Sequence, residues 1–157
     1  MRPHRYEARL RWIGAAAGPA REYAAYSRAY AIEIAGKPAL YGSADPHFHG
    51  DAAAHNPEDL LVGALAACHL LSYLAACTRA GVTVVAYDDQ ARGEMTLVDG
   101  KIRFREVVLA PQVVIAAGDD PDLALQLHDR AHAECFIANS VNFPVRHEAA
   151  VRVVEPA

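Results

Sequence analysis

Three cysteines and a scatter of histidines are the side chains in this 157-residue sequence whose chemistry can go beyond packing. Cys68 stands in Ala66-Ala67-Cys68-His69, Cys135 in His132-Ala133-Glu134-Cys135-Phe136, and Cys77 lies nine residues after Cys68. An ionised thiol is the nucleophilic form, and a free cysteine has a pKa of about 8.5. A reactive cysteine therefore needs a cation close by. An odd cysteine count without a secretory signal argues against a disulfide framework and for a reducing compartment, the cytoplasm. There a thiol is either reactive or a small buried hydrophobe. Nine residues at about 100° each set Cys77 on the opposite helix face from Cys68, so the two share no partner. Cys77, in Ala-rich surroundings, reads as packing.

His47, His49, His55, His69, His128 and His132 raise a metal site as a rival, with His132 and Cys135 one helical turn apart. The tight, repeated ligand spacings that mark such sites are missing, so neither a metal nor another cofactor is expected. The three loop histidines read as polar loop residues. His69 points about 100° away from Cys68 and reads as a hydrogen-bonded core histidine.

The elements that must position these groups follow from patterning. Tyr6 to Ile13 has a short strand pattern, Gly14 to Pro19 a turn, and Tyr23 to Ile34 a second strand with Tyr26, Arg28, Tyr30, Ile32 and Ile34 on one parity. Gly42 to His55 is an irregular loop, a kind of segment that in compact domains tends to be functional. Asn56-Pro57-Glu58-Asp59 is a helix start: Asn56 caps, Pro57 suits the first position, and the acids face the positive end of the dipole. The spacing predicts a helix to Arg79, closed by Gly81 and apolar nearly all round from Leu60 to Cys77, hence wrapped by protein on most sides. Strands are predicted at Val82–Tyr87, Gly93–Val98, Lys101–Leu109 and Gln112–Ala116, with Asp99-Gly100 as a hairpin turn. A second helix follows Asp119-Asp120-Pro121-Asp122 and runs to about Ile137, with Cys135 well inside it. A last strand spans Phe143 to Val154. The fold class is α+β in the order β-β-α-β-β-β-α-β, in one domain over residues 1–157.

Composition removes other function classes. The chain is 53% hydrophobic and 22% charged, ordinary for a globular protein. A net charge of -4 with no Lys/Arg stripe leaves nucleic acid without an electrostatic footprint. The apolar stretch Leu60–Cys77 holds His69, Ser72 and Tyr73 behind a strong helix cap, so a buried helix, and no membrane span, is expected.

Two segments carry a resemblance. Asn56-Pro57-Glu58-Asp59-Leu60-Leu61 through Ala66-Ala67-Cys68-His69-Leu70 resembles the central-helix signature of the OsmC/Ohr family. Ala131-His132-Ala133-Glu134-Cys135-Phe136-Ile137-Ala138-Asn139-Ser140 resembles its second cysteine motif. The resemblance implies a two-layer fold with a long buried central helix and an intertwined homodimer. It implies a thiol-dependent peroxidase that reduces organic hydroperoxides, with Cys68 attacking and Cys135 resolving the Cys68 sulfenic acid as a disulfide. The reductant it suggests is a dithiol, of lipoyl type in one branch. It also implies an arginine paired with Glu58 as the activating cation. Glu58 and Cys68 are ten residues apart, roughly 15 Å along a helix, so that arginine must come from elsewhere. Arg28, on the parity of Ile32 and Ile34, is preferred. Arg21 after Gly18-Pro19 comes second, and His47 before Phe48-His49-Gly50 serves only if protonated.

Two other classes compete. A cysteine hydrolase or acyl transferase needs a histidine in reach of the nucleophile and no second thiol. A non-catalytic module would bind a small apolar ligand or a metal.

Overall fold

The computed structural model describes residues 2–154. Its chain divides into a first compact unit through Leu61 and a second from Val62 onward.

The first unit is an antiparallel sheet in the order β1 (Arg9–Trp12), β2 (Tyr30–Glu33), β3 (Leu40–Gly42). Gly42 is required where it pairs with Tyr30, because a Cβ there would lie 2.3 Å from the Tyr30 ring. The strand expected from Tyr23 begins only at Tyr30. Arg28 folds the preceding segment back on itself, donating to the carbonyls of Tyr26 and Tyr23. β3 was not expected, since three residues after the Gly36-Lys37-Pro38 turn are too few to show a two-residue period. The irregular loop proves locally bonded. Asp45 accepts from the His47 amide at 2.7 Å to cap a 3-10 turn at Pro46–Phe48, and Ser43 N donates to His55 O at 2.9 Å.

Helix α1, Pro57–Ala80, starts where the sequence places it. Asn56 Oδ1 accepts from the Asp59 amide at 2.8 Å and Asp59 Oδ2 accepts from the Asn56 amide at 3.3 Å. This reciprocal capping box satisfies two backbone donors at once.

The second unit holds two three-stranded sheets, β4 (Val84–Asp89), β7 (Pro111–Ile115), β9 (Ala150–Val153) and β5 (Arg92–Val98), β6 (Lys101–Leu109), β8 (Val145–His147). The β5–β6 hairpin turns on Asp99 and Gly100, with φ of 52° and 76°, as the Asp-Gly pair predicts. The strand order therefore exceeds the expected one. The stretch from Lys101 breaks at Ala110-Pro111 and crosses from one sheet to the other. The expected last strand likewise divides into β8 and β9. Helix α2, Pro121–Glu134, is capped by Asp120, whose carboxylate accepts from the amides of Asp122 and Leu123.

The second unit's core gathers Tyr73, Ala76 and Cys77 of α1, Ala124, Leu127 and Ala131 of α2, and Val113 and Ile115 of β7. On α1 the buried residues Leu65, His69, Tyr73, Ala76 and Cys77 recur at helical spacing. The other side, with Ala64, Ala67 and Leu71, is open, and Leu71 is 67% exposed. The helix is apolar enough and long enough to cross a bilayer by length and composition. Within this one chain it is covered on one side only, where wrapping on most sides was expected.

Candidate active site

Cys68 sits half-buried three turns into α1. Cys135 is not inside α2, as expected, but is the residue that ends it. It has extended backbone angles of φ -74° and ψ 107°, and its amide donates to His132 O at 3.2 Å. At the helix end Asn139 Nδ2 donates to the α2 carbonyl Ala133 O at 3.0 Å, an acceptor that a helix end leaves orphaned. Just beyond it Asn139 N donates to Cys135 O at 3.0 Å and Ser140 Oγ to Phe136 O at 2.7 Å, which together hold the run Cys-Phe-Ile-Ala-Asn-Ser in its turn.

The two thiols are close enough for Cys68 to act on the Cys135 thiol, although they are 67 positions apart in the sequence. Their surroundings differ. Cys135 is 1% exposed, and burial pushes its thiol up to about 11, with the neighbouring Cys68 adding to the push. The backbone amides of Ala138 and Ile137 donate to its sulfur and pull the other way. Cys135 thus holds its proton at neutral pH and can offer it to Cys68, the more accessible sulfur. All three cysteines are free thiols. Cys77 is fully buried, its thiol raised by desolvation and hydrogen-bonded to Tyr73, in keeping with a packing role.

Arg28 and Glu58 both lie in the first unit, but they do not pair. The Arg28 guanidinium stacks 3.9 Å from the Tyr26 ring centre and 5.2 Å from that of Tyr23, with Nη1 donating to Tyr26 O at 2.5 Å. Among the described residues no carboxylate lies within 4.0 Å of Arg28 or Arg21, and no basic group within 4.0 Å of Glu58. Glu58 occupies the first turn of α1, where with Asp59 it adds to the upward push that burial gives the Tyr30 hydroxyl. His47 is exposed and bonded to Asp45 through Nδ1 at 2.8 Å.

Sequence reasoning raised the histidines together only as a rival metal site, left out His147, and gave no sign that His69 and His128 pair. His69, His128, His132 and His147 gather between α1, α2 and β8. Ring centroids are 5.6 Å apart for His69–His147, 5.8 Å for His128–His147 and 5.8 Å for His132–His147. His69 and His128 are fully buried, with Nε2 of the first 3.0 Å from Nδ1 of the second. A centroid separation of 5.3 Å and an interplanar angle of 8° put these rings nearly end to end in one plane. The lone pair of one nitrogen then faces the N–H of the other. Metal ligands would instead aim both lone pairs at a third point. Among the described residues no three His, Cys, Asp or Glu side chains converge as a metal-holding group. Burial drives both rings toward the neutral form, His69 down to about 4 and His128 to about 3. The signal available in the sequence was the i, i+4 spacing of His128 and His132 on the α2 face that carries Ala124, Leu127 and Ala131.

Comparison with known proteins matches residues 49–149 to the family model described as OsmC-like protein. The uncharacterized protein YmaD of Bacillus subtilis is 27% identical over 109 residues, covering 66% of this chain and 73% of that protein. An OsmC-like protein of unknown function from Vibrio cholerae superposes with a TM-score of 0.87 at 32% identity, over 94% of this chain and 100% of the other. An organic hydroperoxide resistance protein from Legionella pneumophila gives 0.70 at 17% identity, over 96% and 98%. The organic hydroperoxide resistance protein OhrB of Bacillus subtilis gives 0.64 at 17%, over 95% and 98%. The last two likenesses concern the fold.

Proposed function

Because the chain belongs to the OsmC-like family, we propose that it is a thiol-dependent peroxidase that reduces organic hydroperoxides to alcohols. The observation that carries this reading is the contact between two unlike thiols, an accessible Cys68 and a buried, protonated Cys135. In the first step the Cys68 thiolate attacks the outer peroxide oxygen. The O–O bond breaks, the alkoxide takes up a proton as alcohol, and Cys68 becomes a sulfenic acid. Cys135 then attacks the Cys68 sulfur. Its proton leaves with the sulfenic hydroxyl as water, and a Cys68–Cys135 disulfide forms. The Ala138 and Ile137 amides, already directed at the Cys135 sulfur, stabilise the negative charge that develops there. A dithiol of lipoyl type returns both cysteines to thiols and is itself oxidised to a cyclic disulfide.

Arg28 is proposed as the cation that favours the Cys68 thiolate, supported by a charge that no carboxylate among the described residues neutralises within 4.0 Å. Glu58, which does not pair with Arg28 in this structure, would orient it once Arg28 leaves the Tyr23 and Tyr26 carbonyls. The open apolar side of α1 at Ala64, Ala67 and Leu71 supports a homodimer in which a second copy covers it. Three free thiols suit the reducing cytoplasm.

The test is stoichiometric oxidation of the reduced protein by cumene hydroperoxide. One equivalent should produce one Cys68–Cys135 disulfide and one equivalent of alcohol. Cys135→Ser should complete one turnover, leave a dimedone-reactive sulfenic acid on Cys68, and stop cycling with dihydrolipoamide. A Cys68→Ser variant that still consumes peroxide at the wild-type rate would refute the reading.

A further inference from the structure

We infer that His69 and His128 are positioning residues for the thiol pair: their N–H···N contact docks α2 on α1 in the register that brings Cys135 to Cys68, and docking persists only while both rings are neutral. The contacts between the two helices run in opposite chain directions. Tyr73 Oη donates to Ala124 O at 3.0 Å, four residues on His69 meets His128 at 3.0 Å, and beyond that Cys68 meets Cys135. His128 is the centre of this seam. Its ring lies 3.8 Å from that of Tyr73 at an interplanar angle of 10°, while its Nδ1 faces His69. It also lies seven residues before Cys135, the residue that ends α2, so fixing the ring fixes the helix end that carries the thiol.

Among the described residues nothing near the pair is placed to accept a positive charge. His147 of β8 and His132 of α2 face it, and their own protonation would repel it. Asp129, the carboxylate of this region of α2, is 3.2 Å from His147 and has a side chain 82% exposed. Tyr73 covers the α1 side, with Tyr87 of β4 against it and Asp89 beyond, bonded to the Ala110 amide. His69 Nδ1 and His128 Nε2 have no hydrogen-bond partner. An added proton on these fully buried rings therefore finds no counter-charge among the described residues until the seam opens, and opening withdraws Cys135 from Cys68.

This inference deepens the peroxidase reading, on which its functional meaning rests, but its test uses no peroxide. In a Cys68→Ser background, labelling of the buried Cys135 by 4,4′-dithiodipyridine is followed by peptide mass. The rate is divided into that of the urea-unfolded protein at the same pH, which removes the intrinsic pH dependence of the thiol. From pH 7 to pH 5 protection should fall by about 25-fold for each histidine, so by several hundred-fold for the pair. Adding His69→Gln, whose amide replaces Nε2 but does not titrate, should leave a fall of only about 25-fold. His128→Asn, whose amide replaces Nδ1, should do the same. An equal fall with and without these changes, or no fall at all, would overturn the proposal. If neither variant folds, imidazole 15N resonances of the unaltered protein decide it. Two neutral rings sharing one proton at pH 6 are expected, and a charged ring there contradicts the docking role. Loss of peroxide turnover with this pH behaviour intact would sink the peroxidase reading alone.

Discussion

Tyr73 offers the sharpest test of how α1 is fastened to α2, because its two contributions can be removed separately. Its hydroxyl donates to Ala124 O and also meets the Cys77 thiol, while its fully buried ring stacks on His128 and leans on Tyr87 at 6.0 Å. Tyr73→Phe deletes both hydroxyl contacts and keeps the ring. The Ala124 carbonyl still has its partner within α2, so no buried acceptor is orphaned and the cost stays near about 1 kcal/mol. In a chain of this size that lowers Tm by roughly 2–4 °C. Tyr73→Ala removes the ring as well and leaves a cavity between the helices, which costs about 3–5 kcal/mol. Urea unfolding followed by circular dichroism, at fixed protein concentration, gives both values from midpoints if the slope is unchanged. Equal losses for the two variants would mean that the hydroxyl outweighs the ring and that the ring is not what fastens α1 to α2.

Acid should weaken the fold before carboxylate chemistry does. His69 and His128 titrate at about 4 and about 3 when folded, below the ordinary value of roughly 6.5 for an unfolded chain, so the unfolded state binds more protons in that window. Stability is then full above about pH 7 and drains away as pH falls through 6.5, by about 2 kcal/mol per histidine at pH 5. A urea midpoint that stays flat from pH 7 to pH 5 contradicts this. Asn56→Ala removes one half of the capping box and should cost about 1 kcal/mol in the same assay, with Asn56→Asp restoring most of it. A neutral Asn56→Ala would show that the cap is dispensable. Gly63→Ala places a methyl where no described atom of this chain lies within 4 Å, on the side of α1 that the proposed second copy covers. With the copies diluted apart a helix-interior gain of roughly 0.5–1 kcal/mol is expected, and a loss under those conditions would contradict it.

What could be read in the sequence was what short-range rules govern. The start of α1 at Asn56-Pro57 and the Asp99-Gly100 turn each depend on a few consecutive residues, and the structure has them where the pattern puts them. The meeting of Cys68 and Cys135 depends on tertiary register. It could be suspected only because both segments resemble one family's motifs. The errors have physical sources too. An arginine binding its own backbone turned an alternating stretch into a loop at Tyr23–Arg28. Asn139 took a carbonyl of the last turn of α2, which ends one residue before the cysteine that seemed to lie within it. The histidine cluster was hidden because its members come from α1, α2 and β8, which no local period connects.

The parallel pairings of β8 with β6 and of β9 with β7 bear on how the chain is made. Each closes its sheet with a strand that leaves the ribosome after everything it pairs with. The β5–β6 hairpin is local and can form early, whereas β6 waits some thirty-five residues for Val145 and β7 a similar span for Ala150. Until then the nascent polypeptide carries two open strand edges rich in valine. That is the interval in which a chaperone would bind it or a neighbouring nascent chain would aggregate with it.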